Sequence, residues 1–94
     1  MERKILISED LSAELSALDG WTIEVNMLKK RLKFANFAES LAFVNSVGAL
    51  AEAADHHPDI TFGWGYTELA LTTHDRGGIT DVDIALASKI DAIP

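Results

Sequence analysis

The segment 36–54 constrains the fold more than any other stretch, because it carries the start and middle signals of one long helix. Asn36 can cap its first turn, and Glu39, three residues later, is placed to return the capping bond. Pro58 obliges the helix to end, since proline disfavours helical geometry in the residue before it and has no amide hydrogen to donate. The sequence therefore predicts a central amphipathic helix, whose apolar stripe consists of Phe37, Leu41, Val44, Val47 and Ala51.

Two pairs of segments with alternating apolar residues flank this helix. Their period of two is typical of half-buried strands. A turn near Asn26 and Met27 separates the first pair, and a bend at Gly63 and Gly65 separates the second. Each pair is therefore predicted to form an antiparallel hairpin. The residues that share a face in the four strands are Trp21, Ile23 and Val25; Leu28, Leu32 and Phe34; Ile60, Phe62 and Trp64; and Leu69, Leu71 and Thr73.

A shorter helix is predicted near each end of the chain. Ser8 can cap the first helix, and Gly20 can close it in the left-handed conformation. Thr80 and Asp83 form a capping box at the start of the last helix. The order is therefore αββαββα, which predicts one α+β domain over residues 1–94, a four-stranded antiparallel sheet with three helices on one face. The apolar faces of the terminal helices consist of Leu11, Leu15 and Leu18, and of Ile84, Ala87 and Ile90.

The opposite face of such a sheet is either solvated or buried against another subunit. Lys29, Arg31 and Lys33 take that face of the second strand, as a solvated surface or as the complement to an acidic partner surface. Eight Lys and Arg against fifteen Asp and Glu give a net charge of −7, which disfavours the phosphate-neutralising surface that nucleic-acid binding requires. A symmetric homo-oligomer with no nucleic-acid partner is predicted.

Cysteine is absent, which excludes disulfide frameworks, cysteine nucleophiles, zinc ribbons and iron–sulfur clusters. Near the N-terminus, an apolar run spans only residues 5–7 before acidic residues begin, so the sequence predicts neither a signal peptide nor a membrane span. We therefore expect a cytoplasmic protein in which histidine, carboxylate and hydroxyl groups carry any chemistry.

All three histidines of the chain lie between positions 56 and 74. Pro58 forces His57 out of helical geometry, so His56 and His57 should project in different directions from a rigid corner. Glu52, one turn earlier, is expected to lie beside His56. His74 should stand at a strand end and point away from the leucines of that strand. Taken singly, His56 also fits a plain helix C-cap, and His74 fits an exposed residue without a role.

A metal site on the adjacent histidines would need Glu52, Asp55 or Asp59 to complete its ligands. Helical two-histidine sites place their ligands four residues apart, whereas adjacent side chains diverge. No metal is therefore predicted. Residues 63–65 read Gly-Trp-Gly and lack the third glycine and following helix of a nucleotide-binding loop, so no nucleotide cofactor is predicted either.

The chain resembles pterin-4a-carbinolamine dehydratases from residue 11 to residue 93. Both diagnostic motifs of that family are present in the right order and with the right spacing: a His-His-Pro corner, and a Thr-Thr-His-Asp segment followed by an aspartate. The resemblance rests on Leu18-Asp19-Gly20-Trp21, on the phenylalanine-rich segment 34–43, on the segment 51–59 around His56-His57-Pro58, and on the segment 71–80 with Asp83.

The resemblance implies an enzyme that dehydrates 4a-hydroxytetrahydropterin to quinonoid dihydropterin, without a metal or cofactor, in tetrahydrobiopterin recycling for aromatic amino-acid hydroxylases. A homodimer or homotetramer is expected. His56, His57, His74 and Asp83 occupy the catalytic positions of the family, and Asp83 is expected to partner His74 as well as to cap its helix. The residues assigned to substrate binding are Glu52, Pro58, Asp59 and Thr73.

The chemistry of this dehydration suits imidazole, which can act as acid or base near neutral pH. We expect His57 and His74 to be the acid–base groups, while His56 and Glu52 shape the pocket. Members of the family also act as dimerisation partners of a transcription factor, so the alternative is a non-enzymatic, protein-binding regulator that uses the exposed sheet or helix surface. The histidines together with Asp83 favour the enzyme, because a scaffold does not need this set.

Overall fold

The order of helices and strands agrees with the predicted αββαββα arrangement. The computed structural model of the protein describes residues 8–94, with side chains from residue 11 onward. Ser8, the predicted cap of the first helix, is itself helical, and the apolar run at 5–7 lies outside the described residues. The elements are α1 (Ser8–Ser16), β1 (Thr22–Glu24), β2 (Met27–Lys33), α2 (Phe37–Ala54), β3 (Asp59–Gly63), β4 (Tyr66–Leu71), a short 3-10 helix (His74–Arg76) and α3 (Asp81–Asp91).

The strands form one antiparallel sheet in the order β1-β2-β4-β3, so β1 and β3 are its edges. β2 and β4 pair along its centre, with Leu28 opposite Leu71. The turn between β1 and β2 is formed by Val25 and Asn26, whose φ angles are 48° and 60°. It lies one residue earlier than predicted, because two successive left-handed residues give the twist that a tight hairpin needs.

All three helices pack on one face of the sheet, as predicted. The sheet contributes Leu28, Leu69 and Leu71, each at most 2% exposed, and α2 contributes Val47 and Ala51. The apolar cluster also includes Ile84, Leu86, Ala87 and Ile90 of α3, and against it pack the partly buried Leu11, Leu15 and Leu18 of α1 and the loop after it.

Within residues 8–94, none of the helices is long and apolar enough to cross a membrane.

The opposite face of the sheet carries charged and polar side chains around a hollow of about 580 Å³. Lys29 and Arg31 lie there, on the side that the alternation of β2 predicts. Arg31 forms an ion pair with Glu68, and its guanidinium lies 4.7 Å from the ring centroid of Tyr66. Because this ion pair is exposed, it stabilises the fold little, on the order of 0–1 kcal/mol.

Two terminal features differ from the predictions. α1 ends at Ser16, and Gly20, although left-handed with a φ of 77°, lies in the loop that follows. The last turn tightens because Leu18 N–H bonds to Leu15 O. β1 was expected to be half buried, but all three of its residues are exposed. It is a short edge strand, and only Trp21, immediately before it, is covered.

The N-terminal half of the predicted stripe on α2 is more exposed than expected. Phe37 and Leu41 are 45% and 40% exposed, whereas Val47 and Ala51 are buried. Phe37 lies against Phe62 of β3, with ring centroids 5.6 Å apart. α2 therefore covers the sheet along its C-terminal half, towards the His56-His57-Pro58 corner, and presents apolar surface near its start.

Asp91 ties the end of α3 to the start of the sheet. Its carboxylate accepts hydrogen bonds from Asp19 N–H at 2.9 Å, from Trp21 Nε1 at 2.9 Å and from Lys30 Nζ at 2.8 Å. Burial raises the pKa of Asp91, but the bonds from Lys30, Asp19 and Trp21 and the charge of Lys30 outweigh it and leave the pKa below its usual value. The ionised form of Asp91 therefore stabilises the fold.

The Asp91→Asn variant is expected to lose about 1–3 kcal/mol of unfolding free energy at pH 7, because the charged acceptor of several hydrogen bonds is removed. The pKa of the folded state is the lower one, so the wild-type advantage is present above the unfolded value near 3.8 and disappears as pH falls through the folded value. Urea unfolding of both proteins at pH 7 and near pH 3 measures this gap. A gap of equal size at both pH values would contradict the assignment, and Glu14→Gln is the exposed control.

Candidate active site

The two histidines of the corner after α2 project in different directions, as predicted. Asp55 caps the helix in the left-handed conformation, with a φ of 50°. The chain then turns so that His56 N–H bonds to Ala51 O at 3.1 Å. His56 follows this left-handed residue, is directed inward and is 7% exposed. His57, which Pro58 keeps out of helical geometry, has a side chain that is 57% exposed.

His56 forms a buried pair with Asp83 of α3. His56 Nε2 lies 2.5 Å from Asp83 Oδ1, and the Asp83 side chain has no exposed surface. Asp83 reaches this position because it belongs to the predicted capping box, in which Thr80 Oγ1 accepts from Val82 N–H and Asp83 accepts from Thr80 N–H. The capping box is confirmed, and the same carboxylate also holds a histidine.

The second carboxylate oxygen of Asp83 accepts two further hydrogen bonds. Oδ2 accepts from Thr73 Oγ1 at 2.9 Å and from Thr80 N–H at 2.9 Å. The Thr73 and Thr80 hydroxyls are themselves 2.8 Å apart. Asp83 therefore connects the His-His-Pro corner to the segment before α3, which lie far apart in sequence. We call His56, Asp83, Thr73 and Thr80 the Asp83 network.

Glu52 contacts a different histidine from the one expected. Its carboxylate bonds to His57 Nε2 rather than to His56. The reason is the left-handed Asp55, which reverses the chain after the helix and turns the His56 ring towards α3. Glu52 and His57 are both exposed, so this pair can orient an imidazole at the surface but adds little to stability.

His74 does not lie at a strand end, and it does not partner Asp83. β4 ends at Leu71, and His74 begins the 3-10 helix that follows. This helix closes because Gly77 adopts a φ of 73° and donates its N–H to the carbonyls of Thr73 and His74. His74 is exposed, and Asp83 already bonds to His56. His74 is nevertheless held next to the Asp83 network by its peptide bond to Thr73.

The four residues assigned to substrate binding fall in three places. Glu52 is exposed beside His57, and Pro58 is half-buried in the corner. Asp59 begins β3 and lines the hollow on the opposite face of the sheet, outside the Asp83 network. Thr73 is 1% exposed, and its hydroxyl is bonded to Asp83. The structure therefore brings Glu52 and Pro58 to the histidine corner and leaves Asp59 apart from it.

Thr73 and Thr80 are linked to His56 through Asp83, which the sequence did not predict. The capping box pointed to Thr80, but nothing local indicates that the Thr73 hydroxyl bonds to the same carboxylate. Among residues 8–94, no three histidine, aspartate or glutamate side chains are grouped so that they could hold a metal ion. The exposed imidazoles of His57 and His74 each follow a residue of the Asp83 network in the chain, and imidazole is the side chain that most often serves as acid or base in catalysis.

Comparison with known proteins agrees with these motifs. Residues 4–93 match the family model described as pterin 4 alpha carbinolamine dehydratase. A protein of Sulfurisphaera tokodaii, provisionally named a pterin-4-alpha-carbinolamine dehydratase, is 39% identical over 90 residues, which are 96% of this chain and 97% of that protein. A protein of Chloroflexus aurantiacus with the same provisional name is 44% identical over 88 residues, covering 94% of this chain and 95% of that protein.

Two solved structures share the fold. The crystal structure of a transcriptional coactivator/pterin dehydratase from Brucella melitensis superposes with a TM-score of 0.90 at 30% identity, covering 95% of this chain and 97% of the other. A pterin dehydratase-like protein identified as a RuBisCO assembly factor in the alpha-carboxysome superposes with a TM-score of 0.64 at 31% identity, covering 79% of this chain and 88% of the other. The predicted four-stranded α+β fold is confirmed.

Proposed function

Because this chain belongs to the pterin 4 alpha carbinolamine dehydratase family, we propose that it dehydrates 4a-hydroxytetrahydropterin to quinonoid dihydropterin. The observation that carries the proposal is the Asp83 carboxylate, which bonds to His56 and to Thr73 at the same time. His57 follows His56 in the chain, and His74 follows Thr73. The bonds to Asp83 therefore hold both exposed histidines at the margin of the Asp83 network. A scaffold protein has no need of such an arrangement.

The reaction removes one water molecule and requires two proton transfers. The bond from C4a to its hydroxyl oxygen breaks, the ring N5 loses its proton, and a double bond forms between N5 and C4a. An acid must protonate the leaving hydroxyl, and a base must accept the N5 proton. We assign these tasks to His57 and His74, whose side chains are exposed. Glu52 orients His57, and the His56–Asp83 pair holds the corner in place.

An assay of the purified protein with 4a-hydroxytetrahydropterin tests the proposal directly. We expect quinonoid dihydropterin to form faster than in buffer, at a rate proportional to protein concentration. The double variant His57→Ala with His74→Ala, purified in the same way, controls for a contaminating dehydratase. A folded wild-type protein with no activity above buffer would overturn the proposal and favour the alternative below.

The alternative function is protein binding without catalysis. The RuBisCO assembly factor, which shares the fold, is described as a pterin dehydratase-like protein. In the present chain, apolar side chains are exposed at Phe37, Leu41 and Trp64, the last of them 72% exposed. Such surface suits contact with another protein chain. It supports the alternative less strongly than the Asp83 network supports the enzyme, because protein contact does not need buried histidine–carboxylate pairing.

The same exposed apolar side chains of α2 support the prediction of a homo-oligomer. Phe37 and Leu41 would lose their remaining contact with water at a subunit interface. We propose a homodimer or a homotetramer of this chain on that ground. A role in tetrahydrobiopterin recycling, an aromatic amino-acid hydroxylase in the same pathway and a cytoplasmic location all stay predictions.

A further inference from the structure

We infer that Thr73 and Thr80 are positioning residues, which hold Asp83 so that its other oxygen keeps the proton of His56 on Nε2. The inference concerns the two hydroxyls beneath the site. Thr73, which the resemblance assigned to substrate binding, then acts on the site through Asp83 and does not contact a substrate itself. Its consequence for catalysis rests on the proposed function, whereas its consequence for the His56 ring does not.

The direction of every hydrogen bond in the Asp83 network follows from counting donors. An ionised carboxylate can only accept, so Thr73 must donate its one hydroxyl hydrogen to Asp83 Oδ2. The 2.8 Å contact between the hydroxyls then requires Thr80 to donate to Thr73. Thr80 Oγ1 in turn accepts from Val82 N–H at 3.3 Å. The chain of bonds therefore runs one way, from the first turn of α3 to Asp83.

Burial makes this chain of bonds effective. Thr73 is 1% exposed, and Thr80 and Asp83 are fully buried. Water does not compete at such positions, so each bond restricts the carboxylate more than it would at the surface. With so little exposed surface, Thr73 has scarcely any side-chain area to offer a substrate. A hydroxyl in this place acts on the orientation of Asp83.

The effect reaches His56 through Asp83 Oδ1. Since Asp83 accepts only, the neutral imidazole must carry its hydrogen on Nε2, and Nδ1 is left as the nitrogen with a free lone pair. In the part of the chain that the structure describes, no hydrogen bond is made to His56 Nδ1. A fixed Asp83 therefore fixes which nitrogen of His56 can accept a proton.

The test is nuclear magnetic resonance of the full chain with ¹⁵N-labelled histidine, at a pH where the His56 ring is neutral. In the wild type we expect a slowly exchanging Nε2–H. In Thr73→Val, which has the same shape but no hydroxyl, we expect this hydrogen to exchange with water about tenfold faster or more, with Nδ1–H forms appearing. Thr73→Ser keeps the hydroxyl and should behave like the wild type.

A second variant separates positioning from loss of stability. Ile90→Val shortens a buried side chain of α3 outside the Asp83 network and should lower stability by about 0.5–1.5 kcal/mol, close to the cost expected for Thr73→Val. If exchange at His56 rises equally in Ile90→Val and Thr73→Val, or in neither, the inference is wrong. A rise in Thr73→Val alone supports it.

Kinetics complete the test and separate the two proposals. Because the His56–Asp83 pair holds the corner that carries His57, Thr73→Val should lower kcat by about 10- to 100-fold with little change in KM, while Thr73→Ser restores it. If the wild type has no dehydratase activity and exchange at His56 still responds to Thr73→Val, the proposed function fails and the positioning role stands. If the wild type is active and His56 does not respond, the positioning role fails and the proposed function stands.

Discussion

Replacing His57 or His74 with alanine is expected to lower kcat for pterin dehydration by about 10²- to 10⁴-fold, the usual contribution of an acid or a base at the reacting atoms. Both side chains are exposed, and the described residues form no hydrogen bond to the His74 ring, so the variants should fold normally. Surface substitutions of this kind change stability by about 0.5 kcal/mol or less. Steady-state rates and thermal unfolding of the two single variants measure both quantities.

The control for these variants is Asn45→Ala, which changes an exposed residue of α2. It should leave both kcat and the unfolding temperature unchanged. Full activity in both His57→Ala and His74→Ala would end the assignment of acid–base roles. A loss in one variant only would leave that histidine as the single proton-transferring group and assign the second transfer elsewhere.

Replacing Asp83 with alanine is expected to cost about 3–5 kcal/mol of unfolding free energy, because it breaks a buried pair and leaves several donors without an acceptor. The donors are His56 Nε2, the Thr73 hydroxyl and Thr80 N–H. The helix also loses one half of its capping box. For a domain of this size, such a loss removes a large part of the total stability. Urea unfolding gives the change from the midpoint and slope.

Glu24→Ala is the matched control for Asp83→Ala, because it removes an exposed carboxylate from β1. Its unfolding free energy should remain within about 0.5 kcal/mol of the wild-type value. A loss below about 1 kcal/mol in Asp83→Ala would show that the donors of the Asp83 network find other partners. That outcome would also weaken the positioning role of Thr73.

The parts of the structure that could be predicted are those with local signals. Asn36 caps α2 by accepting from Glu39 N–H, as predicted, although Glu39 returns its bond to Ala35 N–H rather than to Asn36. The box of Thr80 and Asp83 also forms as predicted. In each case, the residues concerned are within four positions of one another, so their contact follows from the geometry of one helix turn.

The parts that could not be predicted depend on distant contacts or on a single unusual backbone angle. His56 and Asp83 are 27 residues apart, and Lys30 and Asp91 are 61 apart. The periodicity of apolar residues carries no information about contacts between residues so far apart in the sequence. Asp55 decides which histidine faces Glu52, and it does so through a positive φ that residues other than glycine seldom adopt. The spacing of one helical turn therefore predicted the wrong imidazole as the neighbour of Glu52.

The Asp83 network draws its members from the end of α2, the segment after β4 and the start of α3. No contiguous fragment shorter than residues 56–83 contains all four, and the sheet that sets their spacing also needs β2, which lies between β1 and β4. The site is thus a property of the completed domain. If the chain were divided at the β3–β4 turn, each piece would lack part of the Asp83 network, and the site would form only when the two pieces reassemble. The catalytic activity of the divided protein would therefore measure how much of it has reassembled.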